Sequence, residues 1–142
     1  MEGGRPVLTV TVVTPEAAVV DRVTCDSVTL PTEGGEVGVL PGHTPLLTLL
    51  GIGRVTCVDG SRSVAVAVRE GFVEIAGDQV RILANQAATP EAVDVAAVTR
   101  ERGAAEAARM QVVGDQQLDA VNADAAYAEA RLALASAGGS KH

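Results

Sequence analysis

The sequence predicts a β + α protein: a β-sandwich of short antiparallel strands followed by an antiparallel hairpin of two helices. In the first part, up to about Gln86, apolar residues alternate with polar or small ones. Turn residues recur there about every 8 to 12 residues, as in sandwiches and flattened barrels. After Pro90 the composition changes to Ala, Glu, Arg and Val without proline as far as Val113. This second composition is typical of helices.

The strands are indicated by a two-residue period. Residues 8–13, 62–69 and 79–84 each place valine, leucine or isoleucine at every second position, which predicts one buried face per strand. In the segment 62–69 the predicted inward residues are Val64, Val66 and Val68. The strands are separated by turn signals, among them Thr14-Pro15, Pro41-Gly42, Gly51-Ile52-Gly53, Asp59-Gly60 and Gly77-Asp78.

The helices have their own start and stop signals. Thr89-Pro90-Glu91 predicts a helix start, with proline in the first turn and an acid near the positive end of the helix dipole. Gly114-Asp115 breaks the pattern, and a second helix is predicted from about Gln116 to Ser136, ended by Gly138-Gly139. We therefore predict a β domain over 1–87 and a helical domain over 88–142, with a linker at 85–89 and a disordered tail over 137–142.

The hairpin is predicted to be held weakly. An apolar stripe on the second helix faces small residues of the first, and most of the contacts are alanine, worth about 0.8 kcal/mol per buried carbon group. The stripe comprises Leu118, Val121, Ala125, Ala128, Leu132 and Ala135, and the facing residues are Val93, Ala97, Ala104, Ala107 and Gln111. Such a hairpin suits a detachable element, although a permanently docked hairpin fits the sequence equally well.

Composition excludes several classes of protein. The net charge of −7 disfavours nonspecific binding to nucleic acid or anionic lipid. No apolar run approaches the roughly 20 residues of a membrane span, and the N-terminus does not have the pattern of a signal peptide. With one Phe, one Tyr and no Trp, the core is predicted to be thin and built from aliphatic residues.

The two cysteines leave two interpretations open. Cys25 and Cys57 lie in strand-like segments, and buried thiols in a reducing cytosol are the simpler reading. A disulfide between neighbouring strands is the other. With a single internal histidine, the sequence does not predict a tetrahedral metal site.

The search for catalytic chemistry is negative. The sequence has no nucleophile elbow, phosphate-binding loop, dinucleotide fingerprint or zinc-protease motif. Glu33, Glu36 and His43 share one turn-rich segment, but a polar contact surface explains them better than acid–base catalysis. We predict that the chain is not an enzyme.

The segment Glu36–His43, read EVGVLPGH and followed by Pro45-Leu46-Leu47, resembles the most characteristic block of the ε subunit of F-type ATP synthases. Val12–Pro15 is similar to the start of that family, and Val80–Ala84 to the end of its β domain. Val68–Glu74 resembles the family's strand G-G-F-x-E, except that Glu70 replaces one glycine. The resemblance extends over about residues 7–135.

The resemblance implies a ten-stranded β-sandwich and two helices in the central stalk of the rotary enzyme, where the subunit couples proton-driven rotation to ATP synthesis. The sandwich would bind the γ subunit and rest on the c-ring, with Glu36, Pro41, Gly42 and His43 at the ring contact. The helices would contact the catalytic α and β subunits transiently. The implied location is peripheral, at the cytoplasmic face of a bacterial inner membrane.

Regulation in the family involves the helices, which fold against the sandwich or extend to block ATP hydrolysis. Some relatives bind ATP through a motif at the first helix, in which Asp94 matches here but the arginine position is Ala97. Asp94, Arg100 and Arg131 would have to hold a nucleotide instead, so the resemblance implies no cofactor and weakens the case for ATP as a regulatory ligand.

Inhibition is predicted to be weak or to depend on the first helix. The second helix is acidic, and like charges on the catalytic subunits would repel it. Arg100, Arg102 and Arg109 of the first helix are the candidate inhibitory contacts.

Two other classes of protein fit the sequence less well. A free-standing β-sandwich that binds protein or carbohydrate would need aromatic side chains for ligand stacking, and the chain has almost none. A small hydrolase using His43 would need a partner group that the sequence does not supply.

Overall fold

The computed structural model describes residues 6–139. It contains seven strands, one short 3-10 helix and two α-helices. The strands are β1 (Leu8–Val13), β2 (Ala18–Cys25), β3 (Ser27–Thr32), β4 (Gly35–Val39), β5 (Leu46–Asp59), β6 (Arg62–Ala76) and β7 (Gln79–Ala88). The 3-10 helix spans Pro90–Ala92, α1 spans Val95–Arg109 and α2 spans Asp115–Gly139.

The strands form one continuous hydrogen-bonded sheet in the order β2-β1-β7-β6-β5-β3-β4. All neighbours are antiparallel except β1 and β7, which run parallel. The sheet folds over on itself, because side chains from all seven strands meet in a single core. The predicted class, a β-sandwich followed by two helices, is confirmed.

The core is built from the alternating residues, as predicted. Leu8, Val10 and Val12 are fully buried, and no polar or charged residue is buried among residues 6–139. Val66 and Val68 also point inward, but Val64 is exposed. The prediction for Val64 was wrong because this residue lies near the end of the β5–β6 hairpin, beside a surface cleft rather than under the opposite layer.

The expectation of ten strands was wrong. The three strands β5, β6 and β7 are 14, 15 and 10 residues long, and each runs through both layers of the sandwich. The glycines at 51 and 53, which the sequence suggested as a turn, lie inside β5. The chain bends here without leaving the sheet, so segments expected to be separate strands are continuous.

The bend is centred on Glu70 and Gly71 of β6. Both have positive φ, 59° and 138°. The register of β6 with β5 and β7 is the same on either side, so the strand is kinked and not slipped. A Cβ atom on Gly71 would lie 1.9 Å from the carbonyl oxygen of Leu83, so only glycine fits. This close approach of two strands is what the kink requires.

The kink changes which residues face the core. In β6 the positions that face the core of the sandwich are even-numbered before the kink, Val66 and Val68, and odd-numbered after it, Val73 and Ile75. β5 changes in the same way, from Leu50 to Val55. Both halves of each long strand therefore turn their apolar residues to the same core, although a straight strand would point the even-numbered and odd-numbered residues to opposite sides of one flat sheet.

The helices differ from the prediction at their ends. Residues 85–88 continue β7 and are not a linker, and Pro90 starts a 3-10 turn. The α-helix begins only after Asp94, whose side chain accepts a hydrogen bond from the backbone N–H of Ala97 at 3.1 Å. The second helix continues through Gly138 to Gly139. The predicted tail at 137–142 is therefore helical up to residue 139, and the remainder lies outside the described residues.

The second helix packs on two partners at once, against α1 and against β5 and β6. Ala125 and Ala128 of the predicted stripe are buried, but Leu118 is exposed. A second stripe, which the sequence analysis missed, packs on Ala67 of β6 and consists of Tyr127, Ala130 and Leu134. On α1 the buried residues are Val98 and Ala105, not the predicted Ala97 and Ala104.

Substitutions at the kink test its geometry. Gly71→Ala is expected to lower the free energy of unfolding by about 3 kcal/mol or more, because it combines a steric overlap with a disfavoured φ. Glu70→Gly is the matched variant. It relieves the strain of a positive φ, and this gain exceeds the loss caused by the greater freedom of glycine in the unfolded chain. The free energy of unfolding should therefore rise by about 0.5 kcal/mol. Urea unfolding of both variants would measure this, and a Gly71→Ala protein as stable as the parent would contradict it.

Candidate interaction surfaces

The first candidate surface is the loop between β4 and β5, residues 40–45, which contains the LPGH block. Gly42 has a φ of 85°, and its N–H donates to Oδ1 of Asp78 at 2.7 Å. His43 donates its backbone N–H to the carbonyl of Leu40 at 3.1 Å. These hydrogen bonds tie the loop to itself and to the β6–β7 turn.

The loop is held in one shape but leaves its side chains at the surface. The Nδ1 atom of His43 lies 2.6 Å from the carbonyl oxygen of Thr44, which can only accept, so Nδ1 donates. Leu40 is exposed, beside a shallow cleft of about 590 Å³. The cleft is lined by Pro6, Asp26, Leu40, Pro41, Gly42 and Asp78. The loop 40–45 therefore forms a fixed, partly apolar surface.

The predicted ring-contact residues are not all in one place. Pro41, Gly42 and His43 lie together on the loop. Glu36 lies on β4, an edge strand, opposite Pro31 of β3. β4 continues for three residues beyond Glu36, to Val39, so at about 3.3 Å per residue roughly 10 Å of strand separates Glu36 from the start of the loop. Glu36 is exposed on β4 and is not part of the loop 40–45.

The second candidate surface is an exposed apolar row on the outer face of the sheet. Phe72 of β6 pairs with Leu49 of β5 on one side and with Leu83 of β7 on the other. Leu83 in turn pairs with Val13 of β1, so the row crosses four neighbouring strands. The exposed fractions are 40% for Leu49, 54% for Phe72 and 47% for Leu83, and Leu47 beside them is 72% exposed.

The apolar row and the hairpin share the outer face of β5 and β6. Ile52 and Ala67, on one side of the kink, contact α2. Leu49 and Phe72, on the other side, are left uncovered. Contiguous exposed apolar side chains on a folded protein usually mark a binding surface. The hairpin thus covers one half of this face and leaves the other half open.

The third candidate surface is a cleft of about 410 Å³ between the hairpin and the sheet. Two mostly buried arginines line it, and each binds a more exposed carboxylate. Arg69 of β6 donates to Oδ1 of Asp124 on α2 at 2.7 Å. Arg131 of α2 donates to Oε1 of Glu101 on α1 at 2.7 Å. One ion pair therefore joins the sheet to α2, and the other joins α2 to α1.

Tyr127 lies at the centre of this cleft. The guanidinium carbon of Arg131 stacks 4.3 Å from the centroid of its ring. Burial raises the pKa of the Tyr127 phenol, and the positive charges of Arg131 and Arg69 act in the opposite direction. The arginines are satisfied by carboxylates and the aromatic ring of the chain itself.

The residues predicted to hold a nucleotide are not brought together here. Arg131 lines the cleft, but Asp94 and Arg100 are not among its lining residues. Asp94 caps α1, and Arg131 is already paired with Glu101. Of the residues predicted to inhibit, Arg100 and Arg109 are exposed on α1 and Arg102 is half-buried.

The sequence analysis missed both the apolar row and the Arg69–Asp124 pair. The row was hidden because Phe72 and Leu83 belong to different strands, and their adjacency depends on the register. The ion pair joins residues 55 positions apart, so no local pattern indicates it. The exposed position of Phe72, next to a kink, was not visible in the two-residue period.

Within residues 6–139, no group of three or more His, Cys, Asp or Glu side chains is placed to hold a metal ion. Neither α-helix, over the same residues, has the length and apolarity to cross a membrane.

Comparisons with known proteins agree on one family. The family model "ATP synthase, Delta/Epsilon chain, beta-sandwich domain" matches residues 7–90. The ATP synthase epsilon chain of Halalkalibacterium halodurans is 40% identical over 135 residues, covering 94% of this chain and 98% of that protein. The epsilon chain of Alkalihalophilus pseudofirmus is 43% identical over 113 residues, covering 80% and 81%.

A solved structure shows the same fold. A chain in the Euglena gracilis mitochondrial ATP synthase (OSCP, F1 and c-ring) aligns with a TM-score of 0.72 at 19% identity, covering 97% of this chain and 85% of that chain.

A β-sandwich with an exposed apolar row on its outer face and a docked helical hairpin is the class of fold that this chain shares with the solved structure. The chain belongs to the ATP synthase delta/epsilon family, and it is similar to bacterial epsilon chains over nearly its whole length. The family predicted from the LPGH block is confirmed, and so is the assignment as a non-catalytic subunit.

The ion pair between sheet and hairpin can be tested by a double-mutant cycle on Arg69→Gln and Asp124→Asn. The coupling energy is expected to be about 0.5–1 kcal/mol and to fall in high salt, because Asp124 is more than half exposed. The Arg81–Glu74 pair, at 3.6 Å and exposed on both sides, is the control and should give a coupling near zero. Urea unfolding measures both cycles, and equal coupling energies would contradict the account.

Proposed function

We propose that the chain is a rotor subunit of the central stalk of an F-type ATP synthase, where it couples proton-driven rotation of the c-ring to ATP synthesis. Family membership supports this, and so does the fold shared with a chain of the Euglena gracilis ATP synthase structure that contains F1 and the c-ring. The observation that carries the proposal is the open apolar row, since a subunit of a larger assembly needs a face that is buried only after assembly.

The γ subunit is the partner proposed for the apolar row. The row lies on four hydrogen-bonded strands, so it is rigid and needs little ordering on binding. Its centre is Phe72, and an aromatic side chain at the centre of an interface commonly contributes a large share of the binding energy. The adjoining Glu74–Arg81 pair would form a polar rim.

The c-ring is the partner proposed for the edge formed by the loop 40–45. The loop is held by the Gly42–Asp78 hydrogen bond; it exposes Leu40 and leaves His43 half-buried. A fixed edge can transmit torque, whereas a flexible one would yield. Glu36, on the neighbouring edge strand, would reach the ring only if the contact extends along β4.

The location that follows from these partners is peripheral, at the cytoplasmic face of a bacterial inner membrane. The chain would be held there through protein contacts. The bacterial relatives support this placement.

The hairpin is proposed to regulate ATP hydrolysis weakly. In the docked form, α2 contacts the sheet through Tyr127, Ala130 and Leu134 and through one ion pair. Release would expose an acidic helix together with the exposed arginines of α1. Any inhibitory contact with the α and β subunits would then use Arg100, Arg102 and Arg109.

ATP is not expected to bind tightly to the hairpin. The motif arginine is replaced by Ala97, and Arg131 is already neutralised by Glu101. A nucleotide would have to displace a carboxylate bound at 2.7 Å.

Binding to γ tests the role of the apolar row. Phe72→Glu should weaken binding of the γ subunit from the same organism at least about tenfold, because a charge would be buried in the interface. Val95→Glu is the control: it also places a charge at an exposed apolar residue, but near the N-terminus of α1, where a negative charge is favourable. Titration calorimetry measures both, and equal loss of affinity in the two variants would contradict the assignment.

ATPase assays of the reconstituted catalytic complex test the regulatory role. Removal of residues 88–142 is expected to raise hydrolysis by less than about twofold, or about 0.4 kcal/mol of activation free energy. Where the full-length chain inhibits hydrolysis, the triple variant Arg100→Ala, Arg102→Ala and Arg109→Ala should relieve as much of this inhibition as truncation does. Strong activation on truncation that the triple variant does not reproduce would contradict both parts of the proposal.

A further inference from the structure

A pair of thiols lies where the chain crosses from β2 to β3. Cys25 is the last residue of β2, and Cys57 lies on β5; they are 1% and 4% exposed. The backbone N–H of Asp26 donates to the carbonyl of Val58 at 2.7 Å. This hydrogen bond joins the residue after Cys25 to the residue after Cys57, so the two cysteines are held side by side, and each thiol influences the pKa of the other.

The two strands are not neighbours in the sheet. β2 is the first strand in the sheet order and β5 the fifth, so the cysteines meet only because the sheet folds over. A surface cleft of about 570 Å³ opens between them. It is lined by Val23 and Thr24 of β2, by Cys57 and by residues of the β5–β6 turn. Cys57 lines this cleft and Cys25 does not, so a small solute in the cleft would meet Cys57 first.

We propose that Cys25 and Cys57 form a redox pair that a small peroxide converts to a disulfide, stapling the edge strand β2 to β5. The Cys57 thiolate attacks the peroxide, the O–O bond breaks, and a sulfenic acid forms on Cys57. The Cys25 sulfur then displaces water from that sulfenic acid as the S–S bond forms. Two thiols and one hydrogen peroxide give one disulfide and two water molecules, so the thiols lose two electrons and the peroxide gains them.

The rate should depend strongly on pH. Burial raises the pKa of the Cys57 thiol to about 12, with the neighbouring Cys25 adding to the effect. Because the thiolate is the nucleophile, the reaction is slow at neutral pH and its rate should rise about tenfold per pH unit well below that pKa. The two thiols should therefore resist a brief exposure to peroxide at neutral pH. They should be oxidised by a long exposure or at alkaline pH.

The disulfide would restrain one edge of the sandwich. Asp26 follows Cys25 directly, and its Oδ2 accepts a hydrogen bond from the N–H of Gly60 at 2.8 Å. Asp26 also lines the cleft beside Leu40 and Pro41 of the loop 40–45. A disulfide one residue away would restrain the position of this corner. The chemistry itself does not depend on the proposed function.

The experiment treats the folded full-length chain with hydrogen peroxide between pH 7 and 9 and follows it by intact mass and peptide mapping. The expected product is a monomer that has lost two hydrogens, with residues 25 and 57 in one cross-linked peptide, restored by dithiothreitol. Cys25→Ala and Cys57→Ala should each abolish this product, and Cys57→Ala should leave Cys25 unmodified.

Three results would overturn the proposal. One is oxygen added at a cysteine without a cross-link, and another is a disulfide between two chains. The third is a chain that forms the cross-link only after unfolding in urea, which would show that the cleft does not admit the oxidant. A rate independent of pH would overturn the thiolate step.

Discussion

The close approach of Gly71 to the carbonyl of Leu83 determines much of the architecture. It allows β6 to kink at Glu70 without losing its register, and β5 and β7 bend with it. The positions that face the core of the sandwich then change from even to odd numbers, so two halves of the same strands enclose one core. A flat sheet of the same length would leave half of its apolar residues in water. One residue without a side chain therefore permits a sandwich built from seven long and short strands.

The same kink divides the outer face into two surfaces with different occupants. On one side, Ala67 and Ile52 receive α2, and the Arg69–Asp124 pair adds a polar contact at the boundary. On the other side, Leu49, Phe72 and Leu83 remain exposed. The hairpin can thus be docked while the apolar row binds another subunit. Regulation by the hairpin and attachment to the stalk would then use adjoining but separate areas of one rigid sheet.

Much of this could be predicted from the sequence, and the reasons for the failures are physical. Leu8, Val10 and Val12 follow a period set by the strand itself, and the LPGH block is a local motif. The predicted number of strands was wrong because the glycines near position 51 are compatible with a bend inside a sheet as well as with a turn that ends a strand. The prediction of helix contacts missed Tyr127 and Leu134. The reason is that α2 packs against two partners, whereas a single apolar stripe accounts for only one of them.

The candidate sites depend even more on tertiary structure. The apolar row exists only because Phe72 and Leu83 come into register, and Arg131 was predicted for a nucleotide but is paired with Glu101. Local sequence describes which chemistry a residue can offer. Which partner it meets depends on strand order and on the packing of the hairpin, both of which require the whole chain to fold.

The chain contains a single phenylalanine, Phe72, at the centre of the apolar row. The most direct test of the account is therefore fluorine NMR of the chain labelled with fluorophenylalanine, which gives one resonance, recorded during titration with the γ subunit. We predict a large shift and the loss of solvent accessibility as Phe72 becomes buried. Binding of γ that leaves this resonance unchanged and solvent-exposed would contradict the account.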